Sequence, residues 1–264
     1  MNTTPPINIL CMRWGSKFGP EYVHNLYAGV KKHLSLPFRF ICMTDDPASV
    51  PAGAEAYPLP QFDIPQGEQD LVWRKLALFN KELFDLKGTA LFLDLDLVIV
   101  GSLDPFVTRP GPFHIIRDDH LGPPKPGRWI NPARARRLAP IGNSSVMRFE
   151  IGANPDISEK YQADPWGVMA NTPNRREQEF VTEQMIARGQ FQHWPKNWCV
   201  GFKHQCVPRF PFSYWQNPQP PKGARIVIFA GNLKIPDAIA GTSDRWYRRI
   251  GPAPWLAKAW SETP

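Results

Sequence analysis

The chain has 264 residues, enough for one large α/β domain or two small ones with a sizeable buried core. Hydrophobic residues make up 42% and aromatic residues 12%, which excludes an intrinsically disordered chain. The formal net charge of +7 favours phosphate-bearing partners, yet the cations sit in small knots such as Lys31-Lys32, Arg134/Arg136/Arg137, Arg175-Arg176 and Arg245/Arg248/Arg249. None is as long as a nucleic-acid-binding tail, so no nucleic-acid partner is expected.

The four cysteines contain no C-x-x-C pair, which argues against a zinc knuckle or a disulfide scaffold. Cys11 and Cys42 lie in apolar runs and read as buried, reduced thiols. Met1 to Pro6 lacks a basic stretch followed by an apolar one, and no run approaches the ~18 apolar residues of a membrane span. The expectation is a cytoplasmic protein. The 30 prolines, roughly twice the ~5% average, crowd stretches such as 122–127 and 217–221 and imply a compact core with stiff loops.

Residues 7–12 read as a first strand, and a glycine-bearing turn follows at Gly15 to Gly19. Tyr22, Val23, Leu26, Tyr27, Val30 and Leu34 then recur at helical spacing. Phe38 to Met43 is a second strand, closed by a turn at Thr44-Asp45-Asp46-Pro47. This β-α-β unit implies parallel strands with a right-handed crossover. A second helix is expected over Asp70 to Phe84, broken by Gly88, and then one apolar strand from Ala90 to Val100. Strands follow at 113–117 and 145–149, a helix at 177–188, a last strand at 225–229, and a basic, Trp-rich tail over 237–264. No internal repeat is visible. The fold class is α/β with a mainly parallel sheet flanked by helices.

Asp94 and Asp96 interrupt the most apolar of these strands. Burying an ionised carboxylate is costly unless it is paired or bound to a metal. Residues two apart on a strand share a face, so both carboxylates could reach one divalent cation, and oxygen ligands suit Mg²⁺ or Mn²⁺. Ligands of open α/β sheets gather at the carboxyl ends of the strands, where such a cation would stabilise a departing diphosphate. The competing reading is a pair of strand-end aspartates that cap a turn.

The run from Leu91 to Asp104 resembles the DxD segment of GT-A glycosyltransferases, in particular the family 8-like and related bacterial enzymes. Trp73 to Phe79 resembles the helix that precedes that segment. Asn143-Ser144-Ser145-Val146-Met147 resembles the stretch that faces the donor sugar, and Glu177-Gln178 resembles the pair that opens a later helix. The likeness spans roughly residues 7–235, with a donor-binding half to about residue 110 and an acceptor half over 111–236. It implies a GT-A (nucleotide-diphospho-sugar transferase) fold and a metal-dependent transfer from a nucleotide-sugar, UDP-linked by preference, to a glycan or lipid-linked acceptor. Retention of anomeric configuration is favoured.

By this resemblance Asp96 ligates the metal, Asp94 ligates it or contacts the donor ribose, and Asn143 and Ser144 touch the sugar. Glu177 and Gln178 flank the reacting centre, Lys75 faces the phosphates, and Thr44 and Asp45 lie near the nucleobase. The related enzymes carry a C-terminal metal-binding histidine, but here Ile228 and Ala230 stand at both possible positions. The metal is then held by the aspartates, the donor phosphates and water, or His204 substitutes. Lys234 could still neutralise phosphate charge.

Plainer readings stay open beside these. Lys75 fits a solvated helix face, Asn143 to Ser145 a turn, Glu177 a helix N-terminus, and His204 a surface or core position. The tail bearing Trp246, Tyr247, Trp255 and Trp260 could pack on the domain or lie on the inner face of an anionic membrane. Asp94 to Val98 also fits the DxDx[TV] nucleophile motif of haloacid-dehalogenase-type phosphatases, with Asp118-Asp119 as the Mg²⁺-binding pair. That motif normally opens its fold, whereas here a β-α-β unit precedes it. An inactive transferase-like binding module is the third reading, and a basic, aromatic nucleic-acid-binding surface its weaker variant.

Overall fold

The computed structural model describes residues 6–65, 68–122, 140–243 and 249–261. Strands β1 (Ile7–Arg13), β2 (Phe38–Thr44), β3 (Glu55–Tyr57), β4 (Thr89–Leu93), β6 (Phe113–Arg117), β7 (Gly142–Glu150) and β8 (Phe191–His193) form a seven-stranded sheet. Its order is β3-β2-β1-β4-β7-β6-β8. β1 pairs in parallel with β2 and β4, and β2 with β3. β7 runs antiparallel to both β4 and β6, and β6 pairs in parallel with β8. One strand therefore opposes an otherwise parallel sheet. A second sheet of three strands, β5 (Leu97–Ile99), β10 (Ile226–Ile228) and β9 (Cys199–Gly201), stands beside it.

Both faces of the large sheet are buried, as parallel sheets require. Along β1, Ile9 and Cys11 enter one core cluster and Leu10 and Met12 the other. β4 splits its residues in the same way, with Leu91 and Leu93 on one face and Ala90 and Phe92 on the other. The amphipathic helix α1 (Pro20–His33) closes the first face with Tyr22, Val23, Leu26 and Val30. On the second face lie α3 (Asp156–Ala163), α4 (Pro165–Asn171) and α5 (Glu177–Ala187), contributing Ile157, Tyr161, Met169 and Phe180. The short helix α2 spans Asp104–Thr108. All four cysteines are free thiols and buried.

Two expected elements change form. The helix expected over 70–84 is a run of 3-10 turns, Glu68–Phe79. Three residues per turn place Trp73, Leu76 and Phe79 together in the second cluster and put Val72 and Lys75 on the wall of one cleft. The run ends where Asn80 begins a tight reversal, in which Phe84 takes a positive φ of 56° and Leu83 bridges Leu86.

The single strand expected over 90–100 is two strands in different sheets. β4 ends at Leu93, residues 94–96 turn, and β5 leaves to pair with β10. Asp94 and Asp96 therefore occupy a crossover and not a strand, so strand alternation does not put them on one face. Leu95 between them is buried.

Near the C-terminus, α6 (Ile235–Ala240) and α7 (Pro254–Ala259) pack on the first core cluster through Ile235, Ile250 and Leu256. Trp260 sets its ring edge against Tyr22 at 5.2 Å, and the Trp255 indole donates to the Pro218 carbonyl at 2.8 Å. Residues Arg134, Arg136, Arg137, Arg245, Trp246, Tyr247 and Arg248 lie outside the described residues. Among those described, no helix is long and apolar enough to cross a membrane.

Gly142 opens β7 beside the irregularity between Ile115 and Ile116, and its amide donates to Thr182 Oγ1 at 2.9 Å. A Cβ there would lie 2.6 Å from Ile115 Cδ1 and 2.9 Å from the same threonine oxygen. Ile115 has no exposed surface and no room to yield. Gly142→Ala is expected to cost about 1–3 kcal/mol by overpacking, read as a lowered midpoint in urea with an unchanged slope.

Candidate active site at the sheet crossover

The strand directions gather the candidate residues along one edge of the large sheet. The C-terminal ends of β2 and β4 deliver Thr44-Asp45 and Asp94, and the antiparallel β7 delivers Asn143-Ser144 from its N-terminal end. The Asp94 amide donates to the Ser145 carbonyl at 2.9 Å, which locks the crossover to β7.

A polar chain runs through the floor of this edge. The Lys75 ammonium contacts the Asp94 carboxylate at 2.7 Å and 2.8 Å and donates to Ser144 Oγ at 3.3 Å. Ser144 Oγ in turn donates to Glu177 Oε1 at 2.6 Å. Lys75, Ser144, Glu177 and Gln178 are all buried. Burial alone would pull the Lys75 ammonium down, but the negative charges of Asp94, Glu177 and Asp96 outweigh it and hold its pKa above the ordinary lysine value. Lys75 is thus an internal counter-ion and not a solvated helix lysine.

Above this chain opens a cavity of about 570 Å³ lined by Val72, Lys75, Asp94, Ser144, Glu177 and Gln178, with Asn174, Arg175 and Arg176 on its rim. Asn174 and Arg175 carry positive φ of 52° and 51°, a strained pairing that costs about 1–3 kcal/mol for each residue. Asn174 is held by a 2.7 Å hydrogen bond from its amide to Glu179 Oε1. The segment presents both arginines, exposed, at the cavity mouth.

Asp96 faces a separate hollow formed with Tyr22, Phe229, Gly231, Leu233 and Lys234. Burial, and after it the neighbouring charge of Asp94, pushes its carboxyl up to about 6, against the opposing pull of Lys75 and Lys17. Lys234 is drawn below its ordinary value by burial and by Lys17, with Asp96 and Asp237 pulling the other way. Its ammonium also sits 4.6 Å from the Phe18 ring centroid.

The charge of Asp94 raises the Asp96 carboxyl, and a hard divalent cation within reach of both oxygens would relieve that repulsion. Asp94 lines the cleft and Asp96 the separate hollow, so a shared cation would have to lie between the two, with these carboxylates as its described protein ligands. Among the described residues no group of three His, Cys, Asp or Glu side chains gathers to hold a metal, so His204 does not complete the shell. Ile228 is a buried core residue of β10, and Ala230 is exposed.

The remaining candidates serve the loops. Thr44 is buried, and its hydroxyl accepts from the Asp46 amide at 3.0 Å. Asp45 accepts from the Gly15 amide at 2.9 Å and ties the β1–α1 loop to the end of β2. Asn143 bonds Asp118 at 3.3 Å and accepts from the Ser145 amide at 3.1 Å. Asp119 is gripped by Arg117 at 2.8 Å and 3.1 Å, which commits half of the acidic pair that a phosphatase would need for its metal. The rim arginines were visible in the sequence only as a basic knot. Their place two residues or fewer before Glu177-Gln178 was the available signal.

The chain matches no protein-family model, and no curated protein matches it at a significant level of similarity.

Proposed function

We propose that the protein is a glycosyltransferase of the GT-A type that takes a sugar from a nucleoside diphosphate donor. The observation that carries this reading is the delivery of Asp94 from the carboxyl end of β4 into a cleft floored by the Lys75–Asp94–Ser144–Glu177 chain, with Asp96 two residues on at the neighbouring hollow. A mainly parallel sheet with its polar groups on the carboxyl edge suits a nucleotide ligand. The cavity volume, about 570 Å³, suits part of a nucleotide-sugar.

In this reading Arg175 and Arg176 attract the anionic donor to the cleft mouth, and Gln178 orients the sugar from the cleft wall. Lys75 holds Asp94 in place and keeps positive charge close to the diphosphate. Asp94 and Asp96 would hold a divalent cation, Mn²⁺ or Mg²⁺, whose chemistry is to neutralise charge on the leaving group. The acceptor hydroxyl oxygen bonds to the anomeric carbon as the bond from that carbon to the phosphate oxygen breaks. The diphosphate leaves with the electron pair, and the hydroxyl proton passes to the departing phosphate. Both carboxylates described in the cleft are already held, Asp94 by Lys75 and Glu177 by Ser144, so neither is free to act as the base that inversion requires. Among the described residues this arrangement favours retention, as the resemblance does.

The test is a thermal-shift screen of nucleotide-sugars with and without Mn²⁺, followed by donor turnover. A metal-dependent rise in Tm with one nucleotide class is expected. Stabilisation without turnover on any acceptor would favour an inactive binding module instead, and hydrolysis of a simple phosphate ester would favour the phosphatase. Removal of both rim arginines, by Arg175→Ala with Arg176→Ala, is expected to weaken donor binding roughly tenfold or more, the loss of at least one charge-assisted contact, with little change in Tm of the free protein.

A further inference from the structure

Residues 184–236 contain seven Lys and Arg and no Asp or Glu. Inside this acid-free stretch the loop after β9 carries the most exposed aromatic cluster among the described residues. Phe210 is 80% exposed and Trp215 77%, with Phe212 and Tyr214 each more than half exposed. A chain that buries Trp73, Phe106 and Phe202 completely has no folding reason to leave four aromatic rings within six residues in water.

The loop is built to present them. Its base is closed by the Gln219 amide on the Cys206 carbonyl at 3.0 Å, and Pro218 is tied to Trp255. Its tip is a set of turns held by Ser213 to Arg209, Tyr214 to Pro211 and Trp215 to Phe212 backbone bonds, with Ser213 tucked inward. The rings therefore project from an ordered backbone and lose little freedom on docking. Arg249 approaches Tyr214, its guanidinium 5.4 Å from the ring centroid, and Arg209 precedes Phe210, so cations flank the rings.

We propose that this loop is a docking surface for an anionic lipid bilayer, with Phe210, Phe212 and Trp215 entering the interface and Arg209 and Arg249 meeting the headgroups. Large rings with adjacent arginines are the combination that gains from both the acyl boundary and the surface charge. Charge decides between this and an apolar protein partner. The cations at the rings, Arg209 beside Phe210 and Arg249 over Tyr214, match a negative sheet of headgroups and are not needed for apolar docking.

Sedimentation with vesicles tests this without any donor or acceptor. The full chain is expected to co-sediment with vesicles of phosphatidylglycerol mixed with phosphatidylcholine, and far less with phosphatidylcholine alone. Phe210→Ser with Trp215→Ser should lower partitioning at least tenfold, and Arg209→Glu should weaken partitioning at low salt and flatten its dependence on added salt. Melting curves of the variants check that the fold survives, which exposed positions on a loop should allow. Wild-type protein that stays in the supernatant with anionic vesicles, or a double variant that partitions as wild type does, overturns the proposal. So does equal binding to neutral vesicles. None of these results bears on nucleotide-sugar binding, so the two readings fail separately.

Discussion

Asp96→Asn is expected to make the protein more stable at neutral pH in the presence of a chelator while reducing donor turnover by about 100-fold or more. The stability half follows from linkage. In the folded protein the Asp96 carboxyl is pushed up to about 6, first by burial and then by the charge of Asp94. In the unfolded chain it returns to about 3.9. Between these values the folded state holds a proton that the unfolded state has lost, so stability falls as pH rises through that window and stays low above it. The penalty at pH 7 is about 1–3 kcal/mol, and the neutral, similarly shaped amide does not incur it. Urea melts of both proteins at about pH 4.5 and about pH 7.5 should show a gap that opens with pH in favour of the variant. An equal gap at both values would mean that Asp96 is not held as a strained acid. The activity half is separate, because an amide cannot supply the anionic oxygen that Asp96 would lend to a cation in the proposed transferase. A residue that destabilises the fold and is needed for turnover is expected at a functional site. If Asp96→Asn turned over donor at the wild-type rate, the transferase reading would lose its central residue.

Local pattern carries the first half of the chain and fails where partners are remote. The β1-α1-β2 unit was readable because alternation along the strands and helical spacing along α1 are set within some forty residues. The split of 90–100 was not, because nothing between Leu91 and Val100 says that β5 will leave for a second sheet. Its partner β10 lies well over a hundred residues further on. A run of apolar residues looks the same whether it serves one sheet or two. The two aspartates were found by their cost in such a run, while their geometry as a shared strand face was misjudged for the same reason. Lys75, Ser144 and Glu177 were each named from resemblance, yet their union into one buried chain joins residues 69 and 33 positions apart, which no local rule reports. The exposed loop at 209–215 is not legible in the sequence, because aromatic content alone does not distinguish a core from a surface, and only burial does.

Lys75→Met should be among the most damaging single changes in the chain. The methionine keeps the apolar stem and its place near Phe92, whose ring lies 5.4 Å from the present ammonium. What it removes is the cation that faces Asp94 directly and Glu177 through Ser144. Two carboxylates then remain in a buried setting with no positive charge between them. Removing one partner of a buried ion pair costs about 3–5 kcal/mol, far more than the pair itself contributes, because the survivor is left uncompensated. The sign with pH is fixed by the folded value of Lys75, which lies above the ordinary lysine range once Asp94, Glu177 and Asp96 have outweighed burial. Stability from a group held up in this way is complete below the unfolded value of about 10.4 and is lost only as pH climbs through the folded one. The gap between wild type and Lys75→Met should therefore be flat from about pH 7 to about pH 9. A second change then separates charge from packing. Asp94→Asn in the Lys75→Met background removes one orphaned charge, so the double variant should recover at least ~1 kcal/mol over Lys75→Met alone, with a coupling of about 1–3 kcal/mol in the cycle. Strict additivity of the two changes would mean that the lysine acts through packing, and the charged floor of the cleft would then have no role in holding Asp94 toward the donor.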